Sequence, residues 1–401
     1  MPDELLRSPD GQRVTFAELF FDLVYVVAVT QLASRLVGEL TPRGGLETLF
    51  LLLAVWWAWV STAWFTNWFD PDERRVRIVL VLLMMASLVM TAAIPEALGD
   101  RGMWFAGAYV AIQCGRTAYA AVALRHGDQT LRRNQQRALA WHAVAAIPWI
   151  AGAAVQGPLR VVLWVAAVGI DYLAPAVGFR TPGLGRSTTE DWAIGGEHLA
   201  ERCQLFLIVA FGESILATGA TFADDEPTAT TVLSLAVAFA GNVALWWVYF
   251  DRHAGRATDT MGAHDDPGRL GRSAYTYLHV PMVAGIIVTA VGDEFVMTAP
   301  QGHTSAGIAA TVLGGPALFL VGHVLFKMAV FGIVSVPRLV AVAALAVLAP
   351  LGAVTSPLVM SLAAALVVAG VAVWDLLHPP ALDASDADAD RTIAPESDDA
   401  K

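Results

Sequence analysis

Apolar runs of about 20 residues recur along almost the whole chain, and they constrain the fold more than any other feature. We place twelve of them, at residues 17–38, 46–68, 76–98, 102–125, 138–156, 159–179, 197–219, 228–250, 271–292, 305–327, 337–354 and 358–377. The hydrocarbon core of a membrane holds no water to satisfy the backbone, so runs of this length are expected to be helices. The sequence therefore predicts an all-α integral membrane protein with the lipid bilayer as its partner.

The composition supports this class. Of the 401 residues, 56% are hydrophobic and only 15% are charged, with a mean hydropathy of +0.57. Soluble proteins have about a quarter of their residues charged, and a soluble chain could not bury so much apolar surface. The first 16 residues are polar and resemble no cleavable signal, so we expect the first helix to direct its own insertion.

Arginine sets the expected orientation. Only Arg43, Arg101 and Arg160 fall in loops after odd-numbered spans. The N-terminus and the loops after even-numbered spans hold most of the others: Arg7, Arg13, Arg74, Arg75, Arg77, Arg125, Arg132, Arg133, Arg137, Arg180, Arg186, Arg252, Arg256, Arg269, Arg272 and Arg338. By the positive-inside rule, both termini are cytoplasmic and the protein lies in the cell membrane. These basic residues follow the orientation rule and form no separate patch, so we expect no nucleic-acid partner.

The two halves of the chain repeat one another. The stretch "AELFFDLVYVVAVTQLA" (17–33) aligns with "AERCQLFLIVAFGESILA" (200–217), and later matches keep the same order. These matches pair Phe69-Asp70 with Phe250-Asp251, Pro148 with Pro350, and Asp171 with Asp375. Six spans are an even number, so the pattern predicts two tandem six-helix repeats in the same orientation, an arrangement found in transporters.

This repeat divides the chain into five segments. We expect a cytoplasmic N-terminal segment (1–16), a first repeat (17–180), a cytoplasmic linker (181–196), a second repeat (197–378) and a disordered acidic tail (379–401). The tail is rich in aspartate and has almost nothing to bury, which is typical of a solvated segment. Cys114 and Cys203 lie in separate apolar spans, and we expect them to be packing residues, with no disulfide or metal.

Charged side chains inside the spans are the candidate functional residues, because each costs about 2.5–3.5 kcal/mol at mid-membrane. The main candidates are Asp22, Arg116, His198, Glu201, Arg202 and Glu213, and the secondary ones are Glu18, Asp171, His323, Lys327 and Asp375. They are expected to form either a solvated pathway or structural ion pairs.

The first-repeat candidates have specific alternatives. Thr15 and Glu18 have the spacing of a capping box, in which each side chain bonds the backbone N–H of the other residue. Asp22 lies one turn further in, where capping does not explain it. Arg116 is placed at a similar depth in the fourth span, so an Asp22–Arg116 pair is expected, either as a structural ion pair or as part of a pathway.

The second-repeat candidates are arranged differently. Glu213 lies deep in the seventh span, between the small residues Gly212 and Ser214. We expect its carboxyl group either to handle protons or cations or to be simply protonated or hydrogen-bonded. His198, Glu201 and Arg202 share one face near the cytoplasmic end. We expect Lys327 and His323 to be the partners of Glu201, with Lys327 reaching the lipid headgroups as the alternative. A His-x-x-Glu pair supplies only two metal ligands, so neither a metal nor another cofactor is expected.

Two of these stretches resemble one family. "ELFFDLVYVVAVTQL" (18–32) and "HLAERCQLFLIVAFGES" (198–214) are similar to the two signature motifs of the bacterial low temperature requirement A (LtrA) family. Cys203-Gln204 depart from the aromatic-plus-glycine pair of that pattern, but the charged positions are kept. The resemblance covers about residues 13–378 and implies a role in growth at low temperature for some relatives, without a substrate or reaction.

A fainter similarity links Phe20-Phe21-Asp22 to the Phe-Ser-Asp motif of potassium channels built from six-helix repeats, and Leu205 breaks it in the second half. We therefore favour a transporter or channel for an ion or small molecule. The alternative is a membrane-organising or cold-adaptation protein whose charges are structural. No nucleophile–base pair or phosphate loop supports a membrane enzyme, and the oligomeric state is left open.

Overall fold

The computed structural model describes residues 5–7, 13–192, 194–224, 226–251, 253–262, 264 and 266–378, and this part of the chain is predominantly helical. The first half contains α1 (Phe16–Gly38), α2 (Pro42–Trp68), α3 (Arg74–Ala92), α4 (Gly102–Ala123), α5 (Gln129–Ala153) and α6 (Pro158–Ala176). The second half contains α7 (Gly196–Asp224), α8 (Ala229–Phe250), α9 (His253–Gly262), α10 (Pro267–Leu270), α11 (His279–Thr298), α12 (Ala306–Phe331), α13 (Val336–Leu348) and α14 (Pro357–Leu377). The acidic tail at 379–401 lies outside the described residues.

Within these ranges, ten helical segments are long and apolar enough to cross a membrane. They make this a multi-pass membrane protein, but they do not confirm the predicted number of twelve spans. The helices α4 and α5 are the two that fall outside this set. The first contains Gln113 and Arg116, and the second begins with the polar stretch "QTLRRNQQR" (129–137).

Two predicted spans differ from the limits of the helices in the structure. The fifth helix begins at Gln129, nine residues before the predicted apolar span, because its polar first turns pack against the 181–191 loop. The ninth span was predicted at 271–292, whereas α11 covers His279–Thr298 and is preceded by a π-helical segment, Gly271–Tyr277. Hydropathy does not distinguish an α-helix from a π-helix.

The first helix shows how a charged segment fits a membrane bundle. Its buried residues recur every three or four positions, from Glu18 and Asp22 through Tyr25 to Leu32. That spacing places them on one helix face, towards the protein. Phe20 and Leu23 lie on the opposite face, where apolar side chains suit lipid contact. The two carboxylates are therefore directed away from the hydrocarbon.

Glycines bring α11 and α12 into close contact. A Cβ atom added at Gly285 would lie 2.5 Å from the backbone nitrogen of Phe319, and one added at Gly315 would lie 2.5 Å from that of Thr289. These distances are shorter than a van der Waals contact, so the two backbones touch with no room for a side chain. Small residues are the usual means by which membrane helices approach this closely.

We predict that Gly315→Ala destabilises the protein by about 1–3 kcal/mol, the usual cost of forcing a methyl group into a packed interior. Gly314→Ala is the matched control, because a Cβ at that position meets nothing within 4 Å. The control should have no effect or a small stabilising one, since alanine has a higher helix propensity than glycine. Thermal unfolding midpoints in detergent measure both variants, and equal midpoints would contradict this account of the packing.

Candidate functional site

Four of the predicted residues meet where α1 packs against α7. We call Glu18, Asp22, His198 and Arg202 the charge cluster. Each side chain in it is at most 2% exposed. The helices come from opposite halves of the chain, so the cluster joins segments about 180 residues apart in sequence. Burial of this degree requires that every charge has a compensating partner.

Glu18 lies in the first turn of α1 and forms the predicted capping box with Thr15. Its Oε2 accepts hydrogen bonds from the backbone N–H and the hydroxyl of Thr15, at 2.9 and 3.0 Å. The Thr15 hydroxyl in turn accepts from the backbone N–H of Glu18. Arg7 donates to the same carboxylate oxygen at 2.9 Å. Glu18 therefore caps the helix and also forms a buried ion pair.

The other oxygen of Glu18 faces α7. His198 Nε2 lies 2.9 Å from Oε1, and Arg202 Nη1 lies 3.2 Å from it. The Asn67 amide exchanges two hydrogen bonds with Gly195, which fixes its orientation, and its nitrogen also contacts His198 Nδ1 at 3.1 Å. An amide nitrogen only donates, so Nδ1 accepts and Nε2 carries the proton that it donates to Glu18. This assigns a neutral imidazole.

Asp22 is paired with Arg202, at 2.7 Å from Oδ1 to Nη2. The indole N–H of Trp59, on α2, donates to the same oxygen at 2.7 Å. The guanidinium group also lies over the rings of Phe21 and Trp59, with its central carbon 6.0 and 5.8 Å from their centroids. Such cation–π contacts stabilise a desolvated arginine.

The predicted Asp22–Arg116 pair was wrong. Arg116 donates to the hydroxyl of Thr62 and the side-chain oxygen of Gln113. The reason is the helix arrangement, because α7 covers the face of α1 that carries Asp22 and brings Arg202 to it. Depth along the membrane placed Asp22 and Arg116 at the same level, but depth does not determine which helices are neighbours.

The charge cluster and Arg7 carry no net charge. The carboxylates of Glu18 and Asp22 are matched by the guanidinium groups of Arg202 and Arg7, and the imidazole is neutral. This balance lowers the cost of burial, because each ion pair replaces part of the lost hydration. A neutral network of this kind is better suited to holding helices together than to binding a mobile ion.

The expected partners of Glu201 were also wrong. Glu201 accepts a hydrogen bond from the backbone N–H of Val14 at 3.3 Å. His323 accepts from Arg338, which forms an ion pair with Asp375 at 2.6 Å. Lys327 lies near that pair. These three candidates therefore belong to a separate polar group on α12, α13 and α14.

Asp171 belongs to another polar group, in the first half. Its Oδ2 accepts from the hydroxyl of Tyr109 at 2.8 Å, and its Oδ1 lies 3.3 Å from His142 Nδ1. Gln113 donates to the Tyr109 hydroxyl and accepts from Arg116. A hydrogen-bonded chain thus runs from Asp171 on α6 to Arg116 on α4.

Glu213 differs from the charge cluster because it has no opposite charge beside it. It is 7% exposed and lies next to Thr30 of α1. On the neighbouring α11, Asp293 is 5% exposed, accepts from Asn242 at 2.8 Å and lies near Ser214. In the described part of the chain, no arginine, lysine or histidine forms an ion pair with Glu213 or Asp293. We call Glu213, Asp293 and Asn242 the acidic group.

Sequence reasoning missed several residues of these groups. Asp293 lies one residue beyond the predicted end of its span and was not among the candidates. Trp59, Asn67 and Asn242 carry no charge to attract notice. The helical periodicity of α11 indicates that Asp293 is buried, because the buried Thr289 precedes it by one helical turn on the same face.

We predict that Arg202→Gln lowers the stability of the protein by about 3–5 kcal/mol, since two buried carboxylates lose their shared cation. Asp22→Asn should lower the stability less, because Arg202 still has Glu18 as an ion-pair partner. The double variant should lose less than the sum of the two single losses. The midpoint of thermal unfolding in detergent measures this cycle.

The control for this cycle is Arg101→Gln, which breaks an ion pair with Glu96 whose two side chains are 54% and 58% exposed. Exposed pairs contribute about 0–1 kcal/mol, so the control should change little. Strict additivity of Asp22→Asn and Arg202→Gln would contradict the pairing.

Comparison with known proteins agrees with these motifs. Residues 13–373 match the family model for the bacterial low temperature requirement A protein (LtrA). The chain is also 37% identical over 321 residues to the uncharacterized protein RA0937 of Rhizobium meliloti (strain 1021), across 80% of this chain and 78% of that one. No solved structure matches it. The two stretches that form the charge cluster are those that resemble the family's motifs, and the chain belongs to the bacterial low temperature requirement A family.

Proposed function

We propose that this protein is a transporter or channel of the cell membrane that moves protons or small cations, with the acidic group on its pathway. Two six-helix repeats in the same orientation form the bundle, and both termini lie in the cytoplasm. The observation that carries the proposal is the pair of buried carboxylates, Glu213 and Asp293, with no basic partner in the described residues. We assign no enzymatic reaction to the protein.

Uncompensated carboxylates inside a bundle have a limited set of stable states. Each is either protonated or neutralised by a cation, because an isolated ionised group costs several kcal/mol in a region without water. A site that alternates between these states is what proton or cation transfer requires. Glu213 also lies ~22 Å beyond His198 along α7, at about 1.5 Å per residue, so it is distant from the charge cluster.

The charge cluster has a different role in this proposal. Its charges are already paired, so it holds α1 to α7 at one end of the bundle without taking part in transfer. The two repeats would then share a fixed contact at that end. The acidic group, which also involves α8 and α11, has no ion pair of its own in the described residues.

The repeat is supported by two similar polar pairs. In the first half, Asp171 on α6 contacts His142 on α5. In the second half, Asp375 on α14 contacts Arg338 on α13. Each pair joins the last two long helices of its half, and Asp171 and Asp375 are residues that the sequence repeat aligns.

Contacts at both ends of the bundle support twelve spans. At one end, Arg137 and Asn134 of α5 bond to the 181–191 loop. At the other end, Arg160 of α6 bonds to Val155 after α5 and to Ala97 before α4. The helices α4 and α5 thus connect the two ends. With 22 and 25 residues, they are ~33 and ~37 Å long, enough to cross ~30 Å of hydrocarbon.

A second candidate function is favoured by the charge cluster itself. Its buried charges balance one another. A membrane-organising or cold-adaptation protein without transport would need this arrangement, with all buried charges serving as structural ion pairs. Under this alternative the acidic group is also structural, so its removal should destabilise the fold.

We predict that a cysteine at position 126 is labelled only from the cytoplasmic side. The variant is His126→Cys, placed in the turn between α4 and α5, in a background with Cys114→Ser and Cys203→Ala. Glu190→Cys serves as the cytoplasmic reference and Glu226→Cys as the external one; all three native side chains are exposed. Labelling with a membrane-impermeant maleimide measures access, and a His126→Cys pattern like that of Glu226→Cys would support ten spans.

We predict that Glu213→Gln and Asp293→Asn each reduce proton or cation flux at least tenfold in liposomes that hold the purified protein. Their thermal unfolding midpoints should not fall, because each change removes a buried charge that has no ion pair. A pH-sensitive dye inside the liposomes measures proton flux, and potassium- and sodium-sensitive dyes measure cation flux.

The matched control is Glu294→Gln, which removes the same charge from the adjacent, partly exposed residue of α11 and should keep its flux. If both acidic-group variants keep the wild-type flux, Glu213 and Asp293 do not lie on the pathway. Loss of stability in these variants would instead favour the structural alternative.

A further inference from the structure

A cavity of about 100 Å³ lies at the end of the bundle that carries the 181–192 loop. Its walls come from α2, α4 and α5, from that loop, and from the π-helical segment before α11. It is separate from both the charge cluster and the acidic group, none of whose residues line it. The proposal below concerns binding alone and does not depend on transport.

Two arginines line this cavity without an acidic partner. Arg116 is 4% exposed and bonds only to the neutral side chains of Thr62 and Gln113, and Arg272 donates to the backbone carbonyl of Pro175. Neither forms an ion pair in the described part of the chain, and no aspartate or glutamate is among the lining residues. By contrast, the buried Arg202 and Arg338 each pair with a carboxylate, and the buried Arg160 is held by five backbone carbonyls. The cavity thus has two arginines with no directly bonded carboxylate, since Asp171 reaches Arg116 only through Tyr109 and Gln113.

The same cavity has polar donors that the protein leaves unused. The indole N–H of Trp57 and the amide nitrogen of Gln135 are buried and have no hydrogen-bond partner in the structure. Both residues line the cavity and are at most 5% exposed. Unpaired buried donors are uncommon in proteins, and each costs about 1–3 kcal/mol unless an acceptor reaches it.

Two unusual backbone features lie in the cavity wall. Arg272 and Thr276 project from the π-helical segment Gly271–Tyr277, and such segments are frequent at functional sites. Phe179 has a φ of 48°, a left-handed conformation that is strained for a bulky residue. Strain of this kind persists only where the surrounding structure requires it, and here it fixes an aromatic side chain at the cavity.

We propose that this cavity is a binding site for a small organic anion with a carboxylate head and an aromatic body. The guanidinium groups of Arg116 and Arg272 recognise the carboxylate, because arginine donors match its two oxygens. Trp57, Trp64 and Trp192 provide the apolar wall that an aromatic ring packs against.

Benzoate is the test ligand, and isothermal titration calorimetry of the detergent-purified full-length protein measures its affinity. Benzamide has the same ring and size but no charge, so it should bind at least tenfold more weakly. Arg116→Gln and Arg272→Gln should each weaken benzoate binding at least tenfold. Arg272→Lys keeps the charge but loses the two-pronged geometry, and should fall between wild type and Arg272→Gln.

The matched control is Arg133→Gln, which removes an exposed arginine from α5 and should bind benzoate as the wild type does. Unchanged thermal unfolding of Arg272→Gln shows that its loss of binding is not a folding defect. The proposal is overturned if benzoate does not bind, if benzamide binds equally well, or if inorganic phosphate binds while benzoate does not. It is also overturned if neither arginine variant weakens binding.

Discussion

The ion pairs of Arg202 with Asp22 and Glu18 are the constraint on which the rest of the bundle depends. A guanidinium group can be buried among α1, α2 and α7 only if carboxylates meet it there. The two acids therefore have to face inward on α1, which sets the rotation of that helix. Arg202 in turn sets the rotation of α7, and the indole of Trp59 brings α2 to the same point. Three helices from both halves of the chain are thus oriented by one charge.

The sequence was sufficient for the class of fold, the motifs and the cap of the first helix. Apolar runs identify membrane helices because the bilayer leaves the backbone no other solution. The capping box was predictable because Thr15 and Glu18 interact within one turn. The partner of Asp22 was not predictable in the same way, since it depends on which helix packs against α1. Asp293 was missed because a helix boundary in an apolar region has an uncertainty larger than one residue.

The structure separates the buried charges by how they are compensated. Glu18, Asp22 and Arg202 neutralise one another, and Asp375 is matched by Arg338. Charges of this kind are neutralised within the protein, so removing one of them lowers the free energy of unfolding. The family motifs fall mainly in this class. The charged residues of the family motifs therefore have a structural role, which is to join α1 to α7.

Glu213, Asp293, Arg116 and Arg272 form the other class, because none of them has an ion-pair partner in the described part of the chain. The acids lie on the neighbouring helices α7 and α11, whereas the arginines line a cavity at the opposite end of the bundle. A buried charge without a partner raises the energy of the folded state, and binding an external partner lowers it. In the two proposals, protons or cations would satisfy the acids, and an anion would satisfy the arginines. The two sites are therefore expected to select ligands of opposite sign, at positions separated along the membrane normal.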